Sequence, residues 1–335
     1  MDLNTAKNPS SLIMNKSIHI CGSIILVFVL LGVYNPKVDK GFEFVLLGDL
    51  PYSDAKVKET KTMIRDINSR KNLEWVIHLG DTKGGSQPCS DKLLTNRFEL
   101  FQRFDIPFIL TPGDNDWYDC SQESAGSWDP EERLKFLRKL YYSDVSNPQF
   151  TTRSQAKESE FTEFVENRLW VKKKVVFATI HLIRMTKPEA DPTVSERRMA
   201  AASNWIETAF AEAKKIGSPG IFLSTQVDPW RVWGPPGTVA ALCPACIEPV
   251  SGIELLYKVL VKEVAAYDGQ VVLAVGDTHI FRVDKPLYDA KGSLIENFTR
   301  VEVFGNPIVR WTRVKVDPSE HQVFTFYQEK GASSD

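Results

Sequence analysis

Four times this chain ends an apolar run in glycine and then aspartate: "FVLLGD" at Asp49, "WVIHLGD" at Asp81, "FILTPGD" at Asp114 and "VVLAVGD" at Asp277. No other Gly-Asp pair occurs in the sequence. Glycine lets a chain turn sharply, or lets another group approach its backbone. In a parallel sheet, the carboxyl ends of the strands are where ligands bind. A single carboxylate there is explained as a helix N-cap. Four on one rim repel each other and lose solvation, a conflict that a bound cation removes. The repeat therefore points to an α/β fold with a cation-binding rim.

The spacing between the first three pairs agrees. Strands are expected at 42–47, 74–79 and 106–111, with helices near 55–69 and 92–104 between them, as in right-handed βαβ crossovers. A further helix is expected at 130–141, with Pro130 in its first turn. Residues 143–170 are polar and read as a surface insertion. Strands at 175–182, 221–225 and 271–275 alternate with helices at 195–215 and 252–267. A Pro/Gly-rich loop covers 229–250. The runs "FTRVEVF", "IVRWTRVKV" and "HQVFTFY" alternate and read as antiparallel strands with one exposed face.

The 335 residues carry a formal net charge of −2, which gives no reason to expect nucleic acid as a partner. Residues 17–34, "SIHICGSIILVFVLLGVY", hold no Asp, Glu, Lys or Arg and follow Lys7 and Lys16. They read as a signal peptide or a signal anchor that sends the protein into the secretory pathway, secreted or held at the membrane. Residues 1–40 then form a tail and linker, and 41–335 one domain. The four cysteines beyond that segment, Cys89, Cys120, Cys243 and Cys246, allow two disulfides. "CPAC" reads as a loop disulfide or two free thiols. Asn297 opens the sequon "NFT" amid strand-like residues, where glycosylation is not expected.

The order GD at 48–49, "GDTK" at 80–83, "GDND" at 113–116, "STQVDPW" at 224–230 and "GDTH" at 276–279 resembles the calcineurin-like metallophosphoesterases. The resemblance implies a four-layer α/β/β/α sandwich with mixed sheets and two divalent cations at the strand ends. Carried over residue by residue, it implies Asp49, Asp81, Asp114, Gln226, Asp277 and His279 as metal ligands, with Asp81 as the bridge. His279 follows Asp277 by two, and residues at i and i+2 of a strand face one side. The oxygen-rich set suits Mn, Fe or Mg, with Zn a further candidate. Two departures stand out. Pro51, followed by Tyr52, replaces the histidine of the first motif, and Asn115 replaces that of the third.

The implied activity is hydrolysis of a phosphate mono- or diester by metal-activated water on a small phosphorylated substrate. The alternative is a non-catalytic metal-binding module that holds a phosphorylated ligand or a partner. Lys83 is open between a phosphate contact and a solvated loop lysine. Asn115 can orient a phosphate oxygen but cannot act as an acid near neutral pH. His181 is open between a catalytic acid or ligand and a hydrogen-bonded core histidine, while His78 reads as core. Trp117 and Trp230 read as buried packing. The loops after Asp81 and Asp114 follow neighbouring strands ~5 Å apart, so Cys89 and Cys120 are expected to pair.

Overall fold

The computed structural model describes residues 41–143, 150–158, 160–185, 192–230 and 253–330. The expected N-terminal segment and "CPAC" lie outside them. Among the described residues no helix is long and apolar enough to cross a membrane.

The described residues form two mixed sheets. The first has five strands in the order β12-β11-β1-β2-β3. Here β1 is Phe42–Leu47, β2 Leu73–His78, β3 Phe108–Leu110, β11 Arg310–Val316 and β12 Phe324–Lys330. The second has seven, in the order β4-β5-β6-β7-β8-β10-β9. These are β4 Arg153–Ser154, β5 Arg168–Lys172, β6 Val175–Thr179, β7 Gly220–Ser224, β8 Gln270–Val275, β9 Arg282–Asp284 and β10 Phe298–Glu302. β1, β2 and β3 run parallel, with Leu47 level with His78 and His78 with Leu110. β6, β7, β8 and β10 are likewise parallel. All four Gly-Asp pairs follow these parallel strands, at their carboxyl ends.

Apolar side chains on the inner faces hold the sheets together. Phe44 and Trp75 of the first sheet lie 5.7 and 5.2 Å, ring to ring, from Phe177 of the second. Burying each such ring contributes roughly 2–3 kcal/mol. Helices cover both outer faces. α1 (Asp54–Asn68) and α2 (Asp91–Phe101) place Met63, Ile64 and Phe101 against Val45 and Val76. α4 (Pro192–Ile216) and α5 (Glu254–Ala265) place Trp205, Phe210 and Leu260 against Val176, Ile221 and Val271. The order of layers is α/β/β/α. α3 (Pro130–Tyr141) starts at Asp129, whose side chain accepts from Glu132 N with Pro130 in the first turn. Ser53 and Ser90 cap α1 and α2 in the same way, which fixes where each chain leaves the rim.

Two expectations are corrected. "FTRVEVF" forms β10, which pairs parallel with β8 and antiparallel only with β9. All five of its residues are buried. The alternation misleads because Arg300 and Glu302 are inward charges with partners: Arg300 meets Asp228 at 2.9 Å, and Arg282 meets Glu302 at 2.7 Å. The described residues of 143–170 are not a surface insertion either. They contribute β4 and part of β5, and bury Phe161, Phe164, Glu166 and Asn167. Their polarity is spent internally, Arg138 on Glu166 and Asn167 on Gln155.

Candidate metal centre

The strand ends of the two sheets meet at one rim. Asp49 N donates to Gly80 O at 3.0 Å, joining the first two motifs. Asn306 N donates to Asp49 O at 3.0 Å and Asp277 N to the Asp49 carboxylate at 3.2 Å, joining the sheets. The glycines are explained by crowding. A Cβ on Gly113 would collide with Asp81 Oδ1, and one on Gly276 with Asp49 Oδ2. Asp49, Asp81, Asp277 and His279 take φ of 53°, 56°, 75° and 64°. Asp visits this left-handed region more readily than most residues. The "GDTH" tail is therefore not an extended strand. The left-handed turn, not strand periodicity, brings Asp277 and His279 to one place.

His279 is fixed by its neighbours. Its Nδ1 lies 2.8 Å from the Asn306 carbonyl, which can only accept. Nδ1 therefore carries a proton, and Nε2 is the nitrogen turned toward the rim. Nε2 faces Asp49 Oδ1 at 3.5 Å and the Tyr52 hydroxyl at 3.4 Å. A histidine set in this way, one nitrogen on a carbonyl and the other on the site, has the arrangement of a metal ligand. Its neighbour Asp49 is fully buried, and Oδ2 has no hydrogen-bond partner.

The bridging candidate Asp81 is buried among amides and a phenol. Asn115 Nδ2 donates to its Oδ2 at 2.8 Å, Tyr52 OH at 3.2 Å and Gln226 Nε2 at 3.3 Å. Asn115 N donates to its Oδ1 at 3.1 Å. Burial pushes the Asp81 carboxyl well above the usual range, and Asp114 and Asp49 add to the push. Burial and Asp277 raise Asp114 to about 7. Burial raises Asp49, against the pull of His279. Burial also opposes charge on His279, but the Asp49 carboxylate outweighs it and raises the imidazole. The carboxylates thus carry the repulsion expected from the sequence.

Among the described residues no three His, Cys, Asp or Glu side chains are already gathered at metal-holding spacing. The fit to a cation rests on the donors themselves: an orphaned buried carboxylate oxygen on Asp49, the Nε2 side of an oriented imidazole beside it, and neighbouring carboxylates in mutual repulsion. A divalent cation satisfies all three conditions.

Asp49, Asp81, Asp114, Gln226, Asp277 and His279 all reach this rim. His181 does not serve it. Trp117 Nε1, a donor only, points at His181 Nε2 at 3.1 Å, and His181 Nδ1 lies 2.5 Å from Glu166 Oε1. Both nitrogens are committed inside the core, and burial with Arg198 nearby lowers its pKa to about 4. The acid role expected as one option is corrected to a structural one. Asn115 donates its amide hydrogens to Asp81 and Tyr52. Lys83 is no solvated loop lysine: it is fully buried and donates to Gly84 O at 3.2 Å. His78 is a core residue, on Leu50 O at 3.3 Å, and burial lowers its pKa to about 3. Trp117 and Trp230 are fully buried.

Sequence reasoning missed three contributors. Tyr52 stands among Asp81, Asn115 and His279. The buried Asp116, second aspartate of "GDND", accepts from Asp81 N, Thr82 N, Thr82 Oγ1 and Gly113 N, all within 2.9 Å. It clasps the second motif to the third. Glu302 receives Thr278 Oγ1 and also Ile280 N at 3.2 Å, bracketing His279. Only Asp116 left a signal, as a carboxylate two residues beyond Asp114. Cys89 and Cys120 form the expected disulfide, with Cα atoms 5.6 Å apart. Asn297 donates its amide to the carbonyls of Val264, Tyr267 and Gly269, so it is spent on packing.

The chain belongs to the calcineurin-like phosphoesterase family, whose sequence model matches residues 42–215. No curated protein matches it. Among solved structures it is similar to GAP50, the anchor in the inner membrane complex of Plasmodium, at 10% identity and a TM-score of 0.49, covering 88% of this chain and 90% of that one. It is similar to the purple acid phosphatase of yellow lupin (Lupinus luteus) at 11% identity and a TM-score of 0.48, covering 87% of this chain and 54% of that one. A 5'-nucleotidase from Candida albicans follows at 12% identity and a TM-score of 0.45, covering 86% and 51%. The chain thus spans about half the length of the last two.

Proposed function

We propose that this protein is a metal-dependent hydrolase of a small phosphate mono- or diester. The observation that carries the reading is the His279–Asp49 pair: an imidazole oriented by Asn306, facing a buried carboxylate with an unused oxygen. Asp81 joins this pair to Asp114, and Asp277 closes the rim. A divalent cation held there, of the Mn, Fe or Mg type, supplies an activated water and neutralises charge on the phosphoryl group. The chain's own residues hold the donors. Asp116 and the Cys89–Cys120 disulfide fix the two loops against each other, and Glu302 fixes the turn that carries His279.

The loss of both proton donors expected from the sequence favours a second reading, a metal-binding module that holds a phosphorylated ligand without turnover. His181 and Asn115 have no proton to give to a leaving group. Purified full-length protein loaded with each metal in turn, and offered aryl and alkyl phosphates and diesters, separates the two. Phosphate release that is lost on chelation supports the hydrolase. Binding without release supports the module. We assign the protein to the secretory pathway, secreted or anchored through residues 17–34. The Cys89–Cys120 disulfide supports this, since such bonds persist in oxidising compartments.

A further inference from the structure

A cavity of about 450 Å³ lies on the side of the sandwich where the first sheet ends at β3. None of the six metal-ligand candidates lines it. Aromatic rings form much of its wall: Phe98, Phe101 and Phe104 from α2 and the turn after it, Phe108 of β3, Tyr141 of α3, and Phe150. Phe101, Phe104 and Phe108 lie almost parallel, with interplanar angles of 3°, 10° and 13° and centroids 4.9 to 6.4 Å apart. Rings set in this way offer flat apolar surface to a further ring. The volume is that of a small-molecule site.

Polar groups that the fold leaves unspent border the same space. β3 is an edge strand, and an edge turns alternate backbone groups away from its sheet. Val76 N donates to Pro107 O at 2.8 Å and Thr111 N to His78 O at 2.9 Å, so residues 107 and 111 serve β2. The backbone groups of Phe108 and Leu110 therefore face outward. Tyr142, another wall residue, packs on that edge and donates its hydroxyl to Leu110 O at 2.7 Å. Among the described residues nothing accepts from Phe108 N. Arg168, at the start of β5, is half-buried in the wall. It makes no ion pair among the described residues, and its guanidinium lies 5.9 Å from the centroid of the Tyr142 ring. Lys157 adds a second cation to the wall and Asp105 a single carboxylate, so the balance is positive.

We propose that this cavity binds a small aromatic carboxylate, its ring among the phenyl side chains and its charge on Arg168. A guanidinium takes a carboxylate through two parallel hydrogen bonds, which fixes orientation as well as charge. The volume excludes a folded partner, and one unspent N–H is too little backbone for an added strand. The site is separate from the metal centre, so the proposal stands whether or not the protein is a hydrolase.

The test is calorimetric titration of the full-length protein with 2-naphthoate, in the presence of a chelator so that no metal at the rim competes for the carboxylate. Wild-type protein should bind one equivalent. 2-Naphthamide, with the same ring and no charge, should bind ~10-fold or more weakly. Arg168→Met should lose the same factor for 2-naphthoate and little for 2-naphthamide. Thr152→Trp adds a ring at a half-buried position of the wall and should abolish binding of both. Wild-type protein that does not bind 2-naphthoate, or a folded Thr152→Trp that binds it undiminished, overturns the site. Equal affinity of wild type for the two ligands, or equal losses for both in Arg168→Met, overturns the role of the charge. If Thr152→Trp does not fold, Thr151→Trp, at an exposed position of the same wall, takes its place under the same criterion.

Discussion

His279 donates its Nδ1–H to the Asn306 carbonyl at 2.8 Å, and this one contact sets which way its other nitrogen points. Nε2 is turned toward Asp49. Losing an outer-shell partner alone typically costs 10–100-fold in metal affinity. Replacing the imidazole itself, His279→Ala, should weaken manganese binding by about 100-fold or more. Calorimetry reads this directly, and circular dichroism should show the fold retained.

Glu302 holds the turn from behind, through Oε1, which receives both Thr278 Oγ1 and Ile280 N. Glu302→Gln keeps an oxygen there and should bind manganese within a few-fold of wild type. Glu302→Ala should lose about 10–100-fold, with the larger effect on affinity rather than on turnover at saturating metal. Equal losses in both variants would point to charge, not to positioning.

Because neither His181 nor Asn115 can protonate a leaving group, a leaving-group dependence is expected. Aryl phosphates, whose leaving groups need little protonation, should turn over ~10²-fold or more faster than alkyl phosphates. A plot of kcat against leaving-group pKa should fall steeply. A flat plot would mean that another group at this rim, such as Tyr52, donates the proton.

Much of this was legible in the chain. The βαβ spacing gave three strands and two helices within a few residues, because each buried strand stops abruptly at Gly-Asp. The carboxylate rim was legible for the same reason. What escaped notice depended on pairing between distant segments. β10 looked half-exposed because its inward charges find partners on Asp228 and Arg282, far along the chain or on another strand. His181 looked available because Trp117 and Glu166, which occupy its nitrogens, come from other segments. Tyr52 was invisible as a site residue, since only the fold brings it to Asp81 and His279.

The buried His181 also sets a pH dependence away from the metal. Its pKa is lowered from 6.5 to about 4. A depressed folded-state pKa means that the unfolded chain binds the extra proton between these values, so stability is present above pH 6.5 and lost as pH falls toward 4. The loss should approach about 3 kcal/mol. Urea unfolding across this range measures it, and His181→Asn should flatten that part of the slope.

The Cys89–Cys120 disulfide closes a loop of sequence separation 31 that contains Asp114 and Asn115. Chain-entropy arguments give it about 3–4 kcal/mol of stability. Unfolding of Cys120→Ser, compared with wild type, should show a loss of that order, and manganese affinity should fall with it because the motif loops lose their brace.

The central claim is that Asp81 joins a working hydrolytic centre, and one paired measurement tests it. Manganese-loaded full-length protein and Asp81→Asn are compared for phosphate release from an aryl phosphomonoester and a diester, with bound metal determined on the same samples. Wild type should release phosphate from at least one ester. In a folded Asp81→Asn, release should disappear and metal binding weaken together. Wild-type protein that holds manganese and binds the esters but releases no phosphate from either would contradict it.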